Sequence, residues 1–350
     1  ATANAPRPCV RSNATPYDRG RPAFYGGAVM DRWLNKILMG SSLEVLRELP
    51  DSSIHCCVTS PPYWGLRDYG VEGQLGLEPT MEEYLEKMLV IFREIRRVLR
   101  SDGTLWLNLG DSYNGSGPSG GPGKQYTNVG SQGTTLKRVA GLKPKDLVGI
   151  PWRVAFALQS DGWYLRSDII WHRPNQMPES VTDRPTKAHE YIFLMSKRER
   201  YYYDADAIKE DCLSGPSDIK KMLESLPRIG GKHKTLTDPL SKASSLTNIG
   251  QKRAVGDPSG RNKRSVWTVA TQPFKEAHFA TFPPKLIEPC ILAGCPDGGI
   301  VLDPFMGAGT TAVVCANLGR NYIGIELNPE YIHIANERIK QATRQERLFL

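Results

Sequence analysis

Between Thr80 and Leu99 the apolar positions fall at Tyr84, Leu85, Met88, Leu89, Phe92, Ile95, Val98 and Leu99. That three-and-four spacing draws one apolar stripe along a helix, and Thr80 with Glu83 provides a capping box at its start. Ser101-Asp102-Gly103 stops the helix, and the apolar run Thr104–Leu109 reads as the next strand. Upstream, Ile54–Val58 is a short continuous apolar run of the kind a buried strand shows, and two prolines in TSPPYW (Thr59–Trp64) forbid further ladder pairing. Strand, helix and strand in succession build a parallel α/β sheet. The same alternation resumes beyond Phe282: helix Pro284–Leu292, strand Ile300–Leu302, a glycine-bearing loop, helix Thr310–Leu318, strand Tyr322–Ile325, then a last helix opened by Asn328-Pro329. Between the two blocks the pattern predicts a helix over Asp146–Gln159, interrupted or started at Pro151, and strands over Tyr164–Trp171 and Tyr191–Met195.

Other stretches lack such periodicity. Residues 1–29 are rich in Pro, Arg, Gly and Asn and form an irregular extension, so the folded part starts near Met30. Asn114–Gly133 is dominated by Gly, Ser and Pro, a long insertion that is either functional or disordered. From about Asp204 to Thr271 the chain is polar, basic and turn-rich.

Composition narrows the class. With 350 residues, 40% hydrophobic and 23% charged, the chain suits a globular protein. It contains no run of 18 apolar residues and no signal-like N-terminus, so a cytoplasmic protein without a membrane partner is expected. Seven scattered cysteines without CxxC spacing argue for free core thiols and against a structural zinc or a disulfide framework. The net charge is +8, and nine Lys or Arg against two acids between Arg228 and Arg264 concentrate nearly all of it in one stretch. That concentration reads as a contact surface for an anionic partner.

Two motifs carry chemistry. In VLDPFMGAGTT (Val301–Thr311) a strand delivers Asp303, Gly307 and Gly309 allow close backbone approach, and Thr310 opens a helix whose amides can hold an anion. Glu326 ends the next strand 23 residues later, where a Rossmann-like fold places the carboxylate that grips a ribose hydroxyl pair. The second motif is TSPPYW. Methylating an aromatic amine requires hydrogen-bond acceptors on its two N–H bonds, which make the nitrogen more tetrahedral. The Ser60 hydroxyl and the Pro61 carbonyl can supply them, with Pro62 fixing the loop and Tyr63 stacking on a flipped base.

These motifs, in this order, resemble the β-class amino-methyltransferases of DNA over roughly residues 37–339: TSPPYW, a basic region, HFATFPPKL from His278, then DPFMGAGTT and YIGIELNP. The resemblance implies an α/β, Rossmann-like S-adenosylmethionine-dependent methyltransferase fold with a mixed central sheet, a circularly permuted motif order and an inserted target-recognition region. It divides the chain into the extension 1–29, a catalytic part 30–203, a target-recognition region 204–275 and a cofactor-binding part 276–350. Residue by residue, it assigns Asp303, Phe305, Gly307 and Gly309 to the methionine end of the cofactor and Glu326 to its ribose, and adds Phe282 and Pro283 as a further cofactor motif. Ser60, Pro61, Pro62 and Tyr63 match the catalytic loop.

The stretch Ile169–Lys197 resembles the segment on the far side of the base pocket, with Trp171, His172, Arg184, Pro185 and His189 as candidates there; a structural hairpin is the competing reading. Arg253, Arg261, Lys263 and Arg264 are expected to contact DNA phosphates. In one departure from the family, Ser41 stands where a carboxylate usually meets the cofactor's adenine. A serine at the head of the catalytic motif usually accompanies N4-cytosine chemistry, so the expected reaction is methylation of cytosine N4 in double-stranded DNA. N6-adenine methylation and a non-catalytic DNA-binding protein on the same scaffold are the alternatives. Cytosine C5 methylation needs a thiolate in a Pro-Cys loop, a setting that neither Pro8-Cys9 nor Pro289-Cys290 offers. A cognate restriction endonuclease and a second copy of the chain are further expected partners.

Overall fold

Ile54–Thr59 (β2) occupies the middle of a single eight-stranded sheet, flanked by a strand that follows it in the chain and by one from the C-terminal part. The computed structural model describes residues 30–66, 68–114, 139, 141–210, 260–272 and 281–348. Most of the glycine-rich insertion and most of the basic stretch, Arg253 included, lie outside these residues. The remaining strands are β1 (Lys36–Met39), β3 (Leu99–Leu109), β4 (Tyr164–His172), β5 (His189–Ser196), β6 (Val266–Thr268), β7 (Ile300–Asp303) and β8 (Asn321–Glu326), in the order β1-β8-β7-β2-β3-β5-β4-β6. β5 alone runs antiparallel to its neighbours, β3 and β4, so the sheet is mixed. Its reversal brings its first residues, His189 and Glu190, to the rim formed by the last residues of the parallel strands.

Two hydrophobic layers sandwich the sheet. On one face pack α1 (Ser42–Glu48), α2 (Met81–Val98) and α3 (Ile150–Ser160), through Leu46, Tyr84, Phe92, Val154 and Leu158. On the other lie α4 (Pro284–Gly294) and α5 (Thr310–Asn317), through Leu286, Ile291, Ala312 and Cys315. A last helix, α6 (Pro329–Leu348), packs on α5. Alternate residues of β2 serve the two layers, Cys57 one and Cys56 and Val58 the other, as the strand period of two dictates. The predicted stripe of α2 is buried at Tyr84, Met88, Phe92, Ile95 and Val98, and each such side chain contributes about 1.5–3 kcal/mol. The Thr80 side chain accepts from the Glu83 amide, as the capping pattern requires.

Two elements start four or more residues away from the sequence expectation. Strand β3 begins at Leu99 rather than Thr104, because Leu99 is already extended and pairs with Ile54; the Ser-Asp-Gly segment lies inside the strand. Helix α3 starts at Ile150 rather than Asp146. Gly149 is left-handed (φ 77°), Pro151 sits in the first turn, and the Asp111 carboxylate accepts from the Gly149 and Ile150 amides at 2.9 and 3.1 Å. The chain also re-enters the central sheet at Val266, within the stretch 204–275 that the sequence sets apart. The five cysteines among the described residues are buried free thiols. Burial raises the Cys290 thiol well above its usual pKa, which suits core packing and not nucleophilic chemistry. None of the described helices is long and apolar enough to cross a membrane.

Candidate active site

The chain leaves β2 and β7 at the same rim of the sheet, and the two loops that follow are tied together. Thr59 Oγ1 donates to Asp303 Oδ1 at 2.7 Å, Thr311 Oγ1 donates to Asp303 Oδ2 at 2.6 Å, and the Phe305 amide donates to Oδ1 at 3.1 Å. Asp303 is 1% exposed, and burial raises its pKa to about 6 in spite of these donors. It joins the catalytic strand to the glycine loop from behind. Two motifs separated by 244 positions thereby open on one cavity of about 820 Å³.

The residues lining that cavity include Ser41, Phe282, Phe305, Gly307, Thr310 and Glu326. Glu326 Oε2 accepts from the Gly307 amide at 2.7 Å and Oε1 from the Asn328 amide at 2.8 Å, while burial raises the pKa of the carboxyl. Gly307 is left-handed (φ 51°), and a Cβ there would meet no protein atom within 4 Å. A side chain would enter open space next to the carboxylate. An oriented acid at a strand end, a bare backbone beside it and two phenyl faces fit S-adenosylmethionine: the acid suits a ribose hydroxyl pair and the rings suit the apolar parts of the molecule. Among the predicted cofactor residues, Asp303, Gly309 and Pro283 are not in the cavity wall. Gly309 instead lets the loop pass α6, since a Cβ there would lie 2.7 Å from the Ala335 Cβ.

Ser60, Pro61, Pro62 and Tyr63 line the same cavity, together with Asn108 and Glu190. The Tyr84 hydroxyl donates to the Pro62 carbonyl at 3.0 Å and the Trp64 indole to the Glu78 carbonyl at 3.1 Å, so α2 and its entry loop hold the proline turn in place. The Tyr63 hydroxyl lies 2.8 Å from Glu190 Oε2, 3.2 Å from Asn108 Oδ1 and 3.3 Å from Ser60 Oγ. Glu190 also receives Arg173 Nη1 at 2.9 Å, and both side chains are largely buried. Gly110 is required here, because a Cβ would sit 2.6 Å from the Tyr63 ring.

Of the remaining predicted residues that the structure describes, Trp171 lines the cavity and the others do not. Trp171 is 3% exposed, lines the cavity and donates its indole N–H to the Val269 carbonyl at 2.8 Å. His172 Nδ1 lies 3.2 Å from Thr268 Oγ1. His189 meets Tyr191 edge to face, and burial followed by the charges of Lys187 and Arg173 lowers its pKa. Arg184 pairs with Glu179 at 2.5 Å and lies 3.9 Å above the Tyr113 ring, away from the cavity wall. Arg261, Lys263 and Arg264 converge on one carboxylate, Glu210, at 3.4, 3.8 and 3.2 Å, and Lys263 also covers Trp267.

Sequence reading missed Asn108, Arg173 and Glu190. Asn108 carried a local signal, a polar residue interrupting the apolar run TLWLNL. Glu190 and Arg173 carried none, because their pairing depends on the antiparallel register of β4 and β5.

Residues 54–337 match the DNA methylase family of N6 and N4 methyltransferases. The chain is 48% identical over 302 residues to the Type II methyltransferase M.Cfr9I of Citrobacter freundii, covering 86% of each chain. It is 49% identical over 302 residues to M.XycI of Xanthomonas campestris pv. cyanopsidis, again covering 86% of each. It is 45% identical over 304 residues to M.SmaI of Serratia marcescens, covering 87% of this chain and 90% of that one. Among solved structures, the cytosine-N4-specific PvuII DNA methyltransferase superposes with a TM-score of 0.55 at 19% identity, covering 89% of this chain and 94% of the other. TTHA0409 of Thermus thermophilus, in complex with S-adenosyl-L-methionine, superposes at 0.52 with 22% identity, covering 88% and 94%. These two share the fold.

Proposed function

The chain belongs to the N6/N4 DNA methylase family, and from that premise we propose that it methylates the exocyclic N4 amine of a cytosine flipped out of duplex DNA. It is a DNA methyltransferase with S-adenosylmethionine as its cofactor. The cofactor supplies an electrophilic methyl group on a sulfonium centre. The protein's part is to bind, orient and polarise. Glu326, Gly307, Phe305 and Phe282 hold the donor end, and the Ser60 hydroxyl and the Pro61 carbonyl accept the two N–H bonds of the target amine. Pulling on both hydrogens returns lone-pair density from the aromatic ring to nitrogen, and a fixed loop aims it without reorganisation during the reaction. Tyr63 offers a face for the extruded base and offsets part of the unstacking cost of a few kcal/mol.

One observation carries this reading: the Ser-Pro-Pro-Tyr loop and the Glu326–Gly307 cradle line the same cavity. The hydroxyl of Ser60, where a carboxylate or amide would accompany adenine chemistry, favours cytosine as the target. Arg261, Lys263 and Arg264 serve the phosphate backbone in this reading, and Trp171, His172 and His189 form the rim past which the base enters. We further propose that the methylation protects a recognition site from a cognate endonuclease; relatives designated Type II methyltransferases support this role. Enzymatic digestion of the methylated DNA to nucleosides followed by mass spectrometry tests the proposal. N4-methylcytosine is the expected product; N6-methyladenine would reassign the base, and unmodified DNA would remove the activity.

A further inference from the structure

The Ser60 oxygen accepts an amine hydrogen best when its own hydrogen points elsewhere, and a hydroxyl is free to rotate. Its neighbours remove that freedom. The Glu190 carboxylate, as an ion, only accepts: Oε1 takes Arg173 Nη1 at 2.9 Å, and Oε2 lies 2.8 Å from the Tyr63 hydroxyl and 3.3 Å from Asn108 Nδ2. The Asn108 amide is oriented as well, because Nδ2 also donates to the Tyr191 carbonyl at 3.1 Å; Oδ1 therefore faces the Tyr63 hydroxyl at 3.2 Å. Both partners on the far side of that hydroxyl are acceptors, so the phenolic hydrogen goes to one of them. Burial and then the charge of Glu190 keep the phenol well above its usual pKa, so it retains that hydrogen. What Tyr63 presents to Ser60, 3.3 Å away, is an oxygen lone pair.

We propose that Glu190, acting through the Tyr63 hydroxyl, is a positioning residue that draws the Ser60 hydrogen away from the cavity and leaves the Ser60 oxygen as a pure acceptor for the target amine. Arg173, paired with Glu190 Oε1 at 2.9 Å, holds it in place. The inference rests on the amine transfer proposed above and adds to it a use for the tyrosine hydroxyl beyond stacking.

The test is a double-mutant cycle with the parent, Tyr63→Phe, Glu190→Gln and the double variant on duplex DNA. It measures kcat, KM for DNA, and cofactor affinity by calorimetry, which also reports that each variant is folded. Tyr63→Phe keeps the ring and is expected to lower kcat ~10-fold or more, with KM and cofactor affinity within about 2-fold of the parent. Glu190→Gln is expected to do the same, and the double variant to be no slower than Tyr63→Phe alone. Parental turnover in Tyr63→Phe would overturn the inference, as would losses that multiply in the double variant, since Glu190 would then act independently of Tyr63. Either result with a methylating parent leaves the amine transfer standing, whereas a parent that methylates no DNA overturns both.

Discussion

Ser60→Ala removes one of the two acceptors that the proposed reaction needs and leaves Glu326 and Gly307 untouched. Turnover is expected to fall by about 10²–10³, the usual consequence of deleting one preorganised polar group, with cofactor affinity nearly intact. Tritiated methyl transfer and calorimetry measure the two effects, and an unchanged rate would take Ser60 out of the role. His55 gives a prediction about stability. Its Nδ1 accepts the Ile300 amide at 3.0 Å, and burial, then the charge of Arg100, lowers its pKa from 6.5 to about 4. The unfolded chain therefore binds a proton near pH 6.5 that the folded chain takes up only near pH 4. The parent should lose about 3 kcal/mol from this residue as pH falls through that window. His55→Gln keeps an acceptor and has no such titration. Asp303, raised to about 6, gives the opposite slope but is common to both proteins, so the difference between their urea midpoints isolates His55. A constant difference from pH 7 to pH 4 would contradict this account. At this scale the sequence was readable where a residue belongs to a compact motif of consecutive residues, as with Gly307 or Pro62. It was silent for Glu190, whose partners lie 17, 82 and 127 positions away.

The loop between β7 and α5 contains two glycines with different duties. Gly309 is left-handed (φ 80°) and touches α6 through Ala335, so Gly309→Ala should cost about 2 kcal/mol or more in thermal unfolding. Gly307→Ala projects into the cavity and should instead weaken cofactor binding, with a stability loss of only about 1 kcal/mol. If both variants lost stability equally and bound cofactor alike, the division of labour would be wrong. The elements themselves were largely legible, because α2 has the clean period of one buried face and β2, β7 and β8 are short continuous apolar runs buried on both faces. β1 and α1 escaped notice: four and seven residues are too few to show a period, and β1 pairs only with a strand nearly 290 positions later. The shifted starts of β3 and α3 have the same origin, since Ile54 and Asp111 fix them from elsewhere in the chain.

For the molecule as a whole, the described basic residues Arg261, Lys263 and Arg264 form a preorganised group. Glu210 neutralises one charge of the three, and Arg264 keeps 64% of its side chain exposed. Replacing all three with glutamine should weaken DNA binding and flatten the dependence of log Kd on log salt by about 2–3, close to one unit for each phosphate no longer neutralised. An unchanged slope in fluorescence anisotropy titrations would place the phosphate-binding residues elsewhere.

The strand order has a consequence for synthesis. Ile300–Asp303 and Asn321–Glu326 are translated long after Lys36–Met39 and Ile54–Thr59, yet they fill the places between those two strands. A nascent chain stopped before residue 300 would have an orphaned first strand, an unpaired edge beside the proline turn and no floor for the donor. The ribosome must pass Glu326 before any modifying power exists, so fragments released earlier would carry none.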